Sequence, residues 1–559
     1  EAGQGYAMMS NKLAEIMFDA PINLKDIPDF EFNKDNVING LKKLQFNSLI
    51  RKVGGDGAVF SRESGARQRE DERARPVATG ASDAARENTV PSHDLRRGSA
   101  IPSSASDAAR GNTVPSPDNL ILDWDIKSLM HKNPEIAKKI ESGAKYWDLG
   151  QAEFLLNPLD RSQSDKYDPM DFQIAYQAQY RELSQMPRLY NIYTDFDLPL
   201  IPVLYKMEKK GMLLDRTYFK TLQQEYEKEI KNLEQKIYTL SGTTFNINSP
   251  IQLSEVFFTR LNLPTKGIKK TTRGYSTGAK ELDKLKNEHP IIEEIIKYRE
   301  TSKLLNTYII PMPDLADKEN RIHTTFTQNV TATGRLSSKD PNLQNIPVRT
   351  EEGKRIRAGF IAKEGKKLVS ADYSQFELRL AAVLANDQNL IKDFNDGIDI
   401  HTKTASEAFN IPLDQVTKSQ RRAAKAINFG IIYGMSVNGL AEATKMSYTD
   451  AKNFMENYQK LRSPIMDYMK KTLEKARNEG YVETYFGRRR PTPDVKSSNF
   501  LIRSAAERAA QNMPIQGTEA DLMKRAMINI DKKLPKTADL IMQVHDSLIV
   551  ECDEKDAEK

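Results

Sequence analysis

KKLVSADYSQFELRLAAVLA (366–385) opens on an apolar run, Leu368 to Ala371, whose strand delivers Asp372 at its tip and continues into a helix from near Ser374. A carboxylate at a strand tip beside a helix start is placed to hold a divalent cation and a phosphate together. Taken alone, Asp372 reads as an ordinary helix N-cap. A second stretch changes that reading. In LIMQVHDSLIVEC (540–552) two β-rich runs flank His545 and Asp546, the pattern of a hairpin with those two residues at its tight turn. Side by side, the two strands make Asp372 and Asp546 converge. Paired carboxylates that bridge ions ~3.5 to 4 Å apart are what an in-line phosphoryl transfer uses.

Between these stretches lies RRAAKAINFGIIYG (421–434). Arg421, Lys425, Phe429 and Tyr433 follow one another at steps of four, so on one helix they form a stripe that drifts by only ~40° per step. Arg and Lys suit a triphosphate, and Phe and Tyr offer flat surfaces to a sugar and base. The bland alternative is a surface helix with buried aromatics and snorkelling cations. Further upstream, YFKTLQQEYEKEIKNLEQKIYTL (218–240) carries Phe219, Leu222, Tyr226, Ile230, Leu233 and Ile237 at helical spacing, an arm-like amphipathic helix. The basic run KGIKKTTRGYSTGAK (266–280) suits phosphate contact. Basic residues also gather in the GRRR segment (487–490).

Composition bounds the rest. A chain of 559 residues exceeds the ~250 to 300 that one core serves, so several domains are expected. Mean hydropathy is -0.61, and no run approaches the ~18 apolar residues of a membrane span. A single cysteine, Cys552, excludes an internal disulfide and a cysteine-based zinc site, and a reducing compartment is expected. The net charge of +6 is too small to establish polyanion binding, so the distribution of charge must decide. Residues 61–119 contain no aromatic, Met or Lys, and ASDAARENTVPSHD (81–94) recurs as ASDAARGNTVPSPD (105–118), 24 residues on. Two copies without an apolar face make a disordered insertion rather than a solenoid.

TATGRLSSKDPNLQNIPVRT (331–350), DYSQFELR (372–379), RRAAKAINFGIIYG, GYVETYFGRRRP (480–491), NMPIQGTEADLMK (512–524) and QVHD (543–546) stand in order. Together they resemble the polymerase region of family A DNA polymerases, the bacterial DNA polymerase I family, over Asp197 to Lys559. The resemblance implies an α/β (α+β) right-hand fold preceded by a partial ribonuclease H-like exonuclease remnant. Its implied divisions are 1–53, a connector after a 5'-nuclease domain with the start of an exonuclease-like region; 54–119, the low-complexity insertion; and 120–196, the 3'-5' exonuclease-like remnant. Then follow 197–320, the thumb; 321–380, the first part of the palm; 381–537, the fingers; and 538–559, the second part of the palm, cut short.

The resemblance also implies site roles. Asp372, Asp546 and the backbone carbonyl of Tyr373 would hold metal, two Mg2+ with Mn2+ as a substitute, and Lys425 joins the two aspartates as catalytic. Arg421, Lys425, Phe429, Tyr433, Glu377, Gln375 and His401 would bind the incoming nucleotide, with Glu377 the steric gate against a ribose 2'-hydroxyl on the metal-facing side. Arg335, Asn345, Arg508, Gln516 and His545 would contact DNA near the primer end, and Lys269, Lys270 and Arg273 would grip the duplex. The implied activity is template-directed addition of deoxynucleotides in repair and replication-primer replacement, by a monomer acting on primer-template DNA in the cytoplasm at the nucleoid, with no membrane partner.

Three departures from the family pattern carry expectations of their own. Ser547 stands where the family has Glu. WDLGQAEFLLNPL (147–159) and DLPLIPVLYKMEKKGMLLD (197–215) resemble the later part of the exonuclease domain, but FQIAYQAQYRELS (172–184) has Gln where a metal-binding Asp belongs. Asp123 and Asp125 read as a loop charge pair, so proofreading is expected to be absent. Third, Glu1 stands inside what resembles the connector and Lys559 comes 13 residues after Asp546, before the family's last palm elements, so a longer parent is expected. Two other classes fit less of the pattern: a single-subunit RNA polymerase, and a primer-template-binding module without catalysis.

Overall fold

A computed structural model describes residues 51–53, 114, 116, 119–160, 171–272, 274–348 and 350–558. The connector at 1–53 apart from the Arg51–Val53 backbone, nearly all of the 54–119 insertion, and Arg273 lie outside the described residues. The fold is mixed α/β and rich in helix. Its main sheet is antiparallel, in the order Arg51–Val53, Lys366–Asp372, Ser547–Asp553, Ala538–Val544.

Alternation along these strands explains why the sheet forms. Leu368 and Ile549 point into the largest core from one face, while Val369 and Cys552 pack with Ala557 in a small cluster on the other face. Both faces are covered, so the strands read as nearly unbroken apolar runs. The expected helix after Asp372 starts at Phe376 rather than near Ser374, because Gln375 adopts a left-handed backbone (φ 55) that interrupts the helical path.

The arm helix runs over Arg216–Ser241, started by the Asp215 carboxylate on the Tyr218 amide and ended by left-handed Gly242. Its 26 residues span ~39 Å and serve two cores. Phe219, Leu222 and Tyr226 enter the largest core, whereas Leu233 and Ile237 join a separate one with Phe257, Ile291 and Ile295. The basic run at 266–280 folds there as two short paired strands, Lys270–Thr271 and Gly274–Tyr275. At the other end of the chain's described part, Ile121–Asp123 and Tyr146–Asp148 pair in parallel beside a core built on Trp147, Tyr176 and Tyr193.

The stripe helix is shorter than its spacing suggests. It occupies Lys418–Gly430, opened by a Thr417–Gln420 capping box, and Ile431–Gly434 form a turn. Arg421, Lys425 and Phe429 are therefore on the helix and Tyr433 is beyond it. The turn is enforced at Gly434 (φ 66), where a Cβ would lie 2.6 Å from the Arg508 Cγ.

Candidate functional site

Strand register brings the two aspartates to one end of the sheet. Asp372 is opposite Ser547, whose hydroxyl donates to Asp372 Oδ2 at 2.5 Å, and the Tyr373 amide donates to the Asp546 carbonyl at 3.3 Å. Positive φ at His545 (59°) closes the two-residue turn that carries Asp546. The Gln543 side-chain amide donates to the His545 carbonyl and in turn accepts from Gln344 Nε2 at 2.8 Å, which fastens the 343–345 turn to the hairpin. Asn345 is held there through its carbonyl, which accepts from Tyr308 Oη at 2.8 Å. Asp372 does not cap the following helix: the cap position is Gln375, with no side-chain capping bond. The Gln375 Oε1 is buried and makes no hydrogen bond. Tyr373 is buried and its ring stacks on Phe376, so only its backbone faces the strand end.

At the second position of the next helix, Glu377 is buried and held from two sides. Tyr433 Oη donates to both its oxygens at 2.6 and 2.5 Å, and Arg335 Nη2 donates to Glu377 Oε1 at 2.5 Å and to Glu519 Oε2 at 2.6 Å. Burial, reinforced by the Glu377 charge, pushes the Tyr433 phenol well up. For Arg335, burial works against the charge, but Glu519 and Glu377 outweigh it and keep the guanidinium protonated. Glu519 escaped the sequence reading although it stands inside the quoted 512–524 motif. A charge amid apolar helix positions was the available signal.

At the start of the stripe helix, Arg421 grips Asp399 through Nε (2.8 Å) and Nη2 (3.3 Å). Partial burial would raise the Asp399 carboxyl, but Arg421 and the Thr402 hydroxyl bring it down to about 2. Asp399 also caps the Ile400–Phe409 helix, and capping is all that the sequence displays. Lys425 is half-buried, while Phe429 is buried against the ring of His401 at 5.6 Å. His401 is itself buried behind the helix and meets Asn428 Nδ2 at 3.1 Å.

Among the residues expected at DNA, Arg508 is exposed and donates to Ser504 Oγ at 2.6 Å, and Gln516 lies half-buried two turns further along the same Phe500–Lys533 helix. Lys269 and Lys270 are exposed on the small hairpin, with Lys270 5.9 Å from the Tyr275 ring centre.

The GRRR segment is not an open basic patch. Arg488 is buried, donating to Asp197 (2.8 and 3.0 Å) and Asp521 (2.7 Å), and Lys524 also donates to Asp197 at 2.7 Å. Arg489 covers the Tyr481 ring at 4.5 Å. Burial would raise Asp197, but Arg488 and Lys524 hold it well below the usual carboxylate range.

The N-terminal carboxylates are engaged locally. Asp123 accepts from the Asp125 amide (2.9 Å), Asp125 from the Ser128 amide (2.9 Å), and Asp148 from the amides of Ile126 (2.9 Å) and Gln151 (2.7 Å). Asp148 faces Asp123 across the parallel pair, and burial with the Asp125 charge raises its carboxyl to about 8. Gln179, in the segment lacking the expected Asp, accepts from the Trp147 indole at 3.1 Å.

Two carboxylates, a backbone carbonyl and a hydroxyl are hard oxygen donors of the kind Mg2+ takes, and that chemistry fits the strand end. Among the described residues, no group of three or more His, Cys, Asp or Glu is placed to hold a metal ion, and no helix is long and apolar enough to cross a membrane.

The family model described as DNA polymerase family A matches residues 216–559. The chain is 48% identical over 373 residues to the thermostable DNA polymerase I of Thermus aquaticus, covering 66% of this chain and 45% of that protein. It is 36% identical over 594 residues to DNA polymerase I of Caldicellulosiruptor bescii, covering 100% of this chain and 69% of that protein. The chain thus spans about half the length of the Thermus relative. Among solved structures, the POL domain of Pol1 from M. smegmatis, in complex with DNA primer-template and dNTP, is similar with a TM-score of 0.68 and 38% identity over 74% of this chain and 76% of that one.

Proposed function

This chain belongs to DNA polymerase family A, a divalent-metal-dependent family, and from that premise we propose that it is a template-directed DNA polymerase acting on primer-template DNA and deoxynucleoside triphosphates. The observation that carries the reading is the convergence of Asp372 and Asp546 at one sheet end, with Ser547 bonded to Asp372. In the proposed reaction a primer 3'-hydroxyl attacks the α-phosphate of the nucleotide, and pyrophosphate leaves.

Asp372, Asp546 and the Tyr373 carbonyl would hold two Mg2+. When bound, such ions supply Lewis-acid stabilisation of the attacking and leaving oxygens. Arg421 and Lys425 receive the phosphates, and because Arg421 already holds the Asp399 carboxylate, nucleotide binding exchanges one bidentate oxyanion for another. Phe429, Tyr433, Gln375 and His401 form or support the nucleotide's base and sugar side. Glu377, which Tyr433 and Arg335 clamp, would stand as the steric gate against a 2'-hydroxyl. Arg335, Asn345, Arg508, Gln516 and His545 would follow the primer-template junction, and the hairpin bearing Lys269, Lys270 and Arg273 the duplex behind it.

The divisions proposed are the thumb at 197–320, the palm at 321–380 with 538–559, and the fingers at 381–537. Proofreading is proposed to be absent, because Asp123, Asp125 and Asp148 are engaged by backbone amides. The chain would act as a monomer. In a primer-extension assay with magnesium, Asp546→Ala should abolish nucleotide addition while duplex affinity stays within about threefold. Extension at near-normal rate would sink the metal assignment.

A further inference from the structure

The Phe500–Lys533 helix begins with three large apolar residues in a row that cover nothing: Phe500, Leu501 and Ile502 are 68%, 76% and 47% exposed. Contiguous exposed apolar side chains on a protein surface mark a contact site. Their position along the helix relates them to the proposed site. At 100° per residue, Leu501, Arg508, Asn512 and Glu519 fall within about 20° of one line along the helix, and that line is ~27 Å long. Its inner end is Glu519, which holds Arg335 and through it Glu377. Midway, the buried Asn512 amide nitrogen makes no hydrogen bond. Its outer end is Leu501 of the apolar tip, with Phe500 about 100° round the helix from it.

Cations flank that tip. Lys496 and Arg508 are exposed, and the Arg503 guanidinium lies 5.7 Å from the Phe500 ring centre. Of the acidic neighbours, Glu507 is engaged by Arg477 at 2.6 Å, which leaves Asp494 on the preceding turn. Flat or aliphatic surface interleaved with positive charge matches a single nucleic-acid strand, whose bases stack while its phosphates are neutralised.

We propose that the Phe500–Leu501 tip is a stacking platform for the unpaired template strand ahead of the primer end. The inference rests on the polymerase reading and adds a subsite to it. Leu501 lies ~10 Å beyond Arg508 along the helix, so the platform serves nucleotides that have not yet reached the junction.

The test compares primer-templates with 5' template overhangs of about one and about ten nucleotides, by fluorescence anisotropy. On the stacking strength of single bases, the unaltered chain should bind the long overhang about tenfold more tightly. F500S/L501S should reduce that preference to within about twofold, while affinity for the short overhang and single-nucleotide addition stay unchanged. In F500W, the new indole should be quenched by the long overhang and not by the short one. No preference in the unaltered chain, a preference kept by F500S/L501S, or an unquenched F500W would overturn the proposal. A concentration-dependent dimer in sedimentation that F500S/L501S disperses would also overturn it, assigning the tip to a second copy. Failure of the unaltered chain to add even one nucleotide would instead overturn the polymerase reading, which separates the two.

Discussion

Two groups of strand-end aspartates, alike in local sequence, are used differently. At Ile121–Asp123 and Tyr146–Asp148, helices start at once after Asp125 and Asp148, and each new helix exposes amides that require acceptors. The carboxylates fill that need. At Lys366–Asp372 the next helix waits until Phe376, and Asp546 lies in a hairpin turn with no helix behind it. Neither Asp372 nor Asp546 caps a helix. The number of residues between strand end and helix start decides whether a carboxylate serves the backbone or is presented at a site.

The largest effect expected from this contrast is on chemistry. Asp372→Asn should lower primer extension by about a thousandfold or more, the scale of several kcal/mol of lost charge stabilisation. Asp148→Asn should leave extension within about twofold. A mismatched 3'-terminal nucleotide should stay in place in both variants and in the unaltered chain; its release by the unaltered chain, lost in Asp148→Asn, would erase the difference between the two groups.

Next in size is a stability effect at Asp197, a buried aspartate at the start of the Leu198–Lys210 helix whose side chain makes no capping bond and lies outside the proposed site. Asp197→Ala leaves Arg488 and Lys524 buried without their shared partner, and breaking a buried ion pair in this way costs about 3 to 5 kcal/mol. Denaturant unfolding measures it. A loss under about 1 kcal/mol would mean that the cluster relaxes to admit water.

A smaller effect should follow at Ser547. Ser547→Ala removes the hydroxyl donated to Asp372, and extension should fall by about two- to tenfold, the scale of one hydrogen bond to a charged group. Rates equal to those of the unaltered chain would show that Asp372 is oriented by the strand alone.

The smallest expected effect is a pH dependence in the N-terminal region, and both tryptophans of the chain, Trp124 and Trp147, lie there to report it. The folded Asp148 carboxyl is raised to about 8, so the folded state binds the proton more tightly than the unfolded one. That contribution is full below the ordinary carboxylate range and is lost as pH rises through it to about 8. Thermal unfolding followed by indole emission should therefore shift down by a few degrees between pH 5 and 8. Asp197 has the opposite sign: its depressed carboxyl stabilises above the ordinary range and loses that contribution as pH falls. A midpoint that rises steadily to pH 8 would show that Asp148 is charged in the folded chain.

Much of this was readable in the residues. The apolar runs around Asp372 and Asp546 announced strands and a tight turn because period-two burial and turn chemistry are local properties. The arm helix was equally plain from its three-and-four spacing. The stripe at Arg421, Lys425, Phe429 and Tyr433 was read one turn too long, because Gly430 and Gly434 bracket a turn whose need arises from the approach of Arg508.

What no local pattern could display is which charges meet. Arg488 stood in the sequence as one of a run of basic residues, yet its partner Asp197 is 291 positions away. Glu519 reaches Arg335 across 184 positions, and Asp399 captures Arg421 across 22. Periodicity, capping and turn residues act over a few residues and are written in the order of the chain. Burial, and the pairing of charge that burial compels, depend on surfaces brought together from distant segments. Strand ends, helix faces and the family were therefore legible before folding, whereas the clamp on Glu377, the partner of Arg421 and the interior placement of Arg488 exist only once those surfaces close.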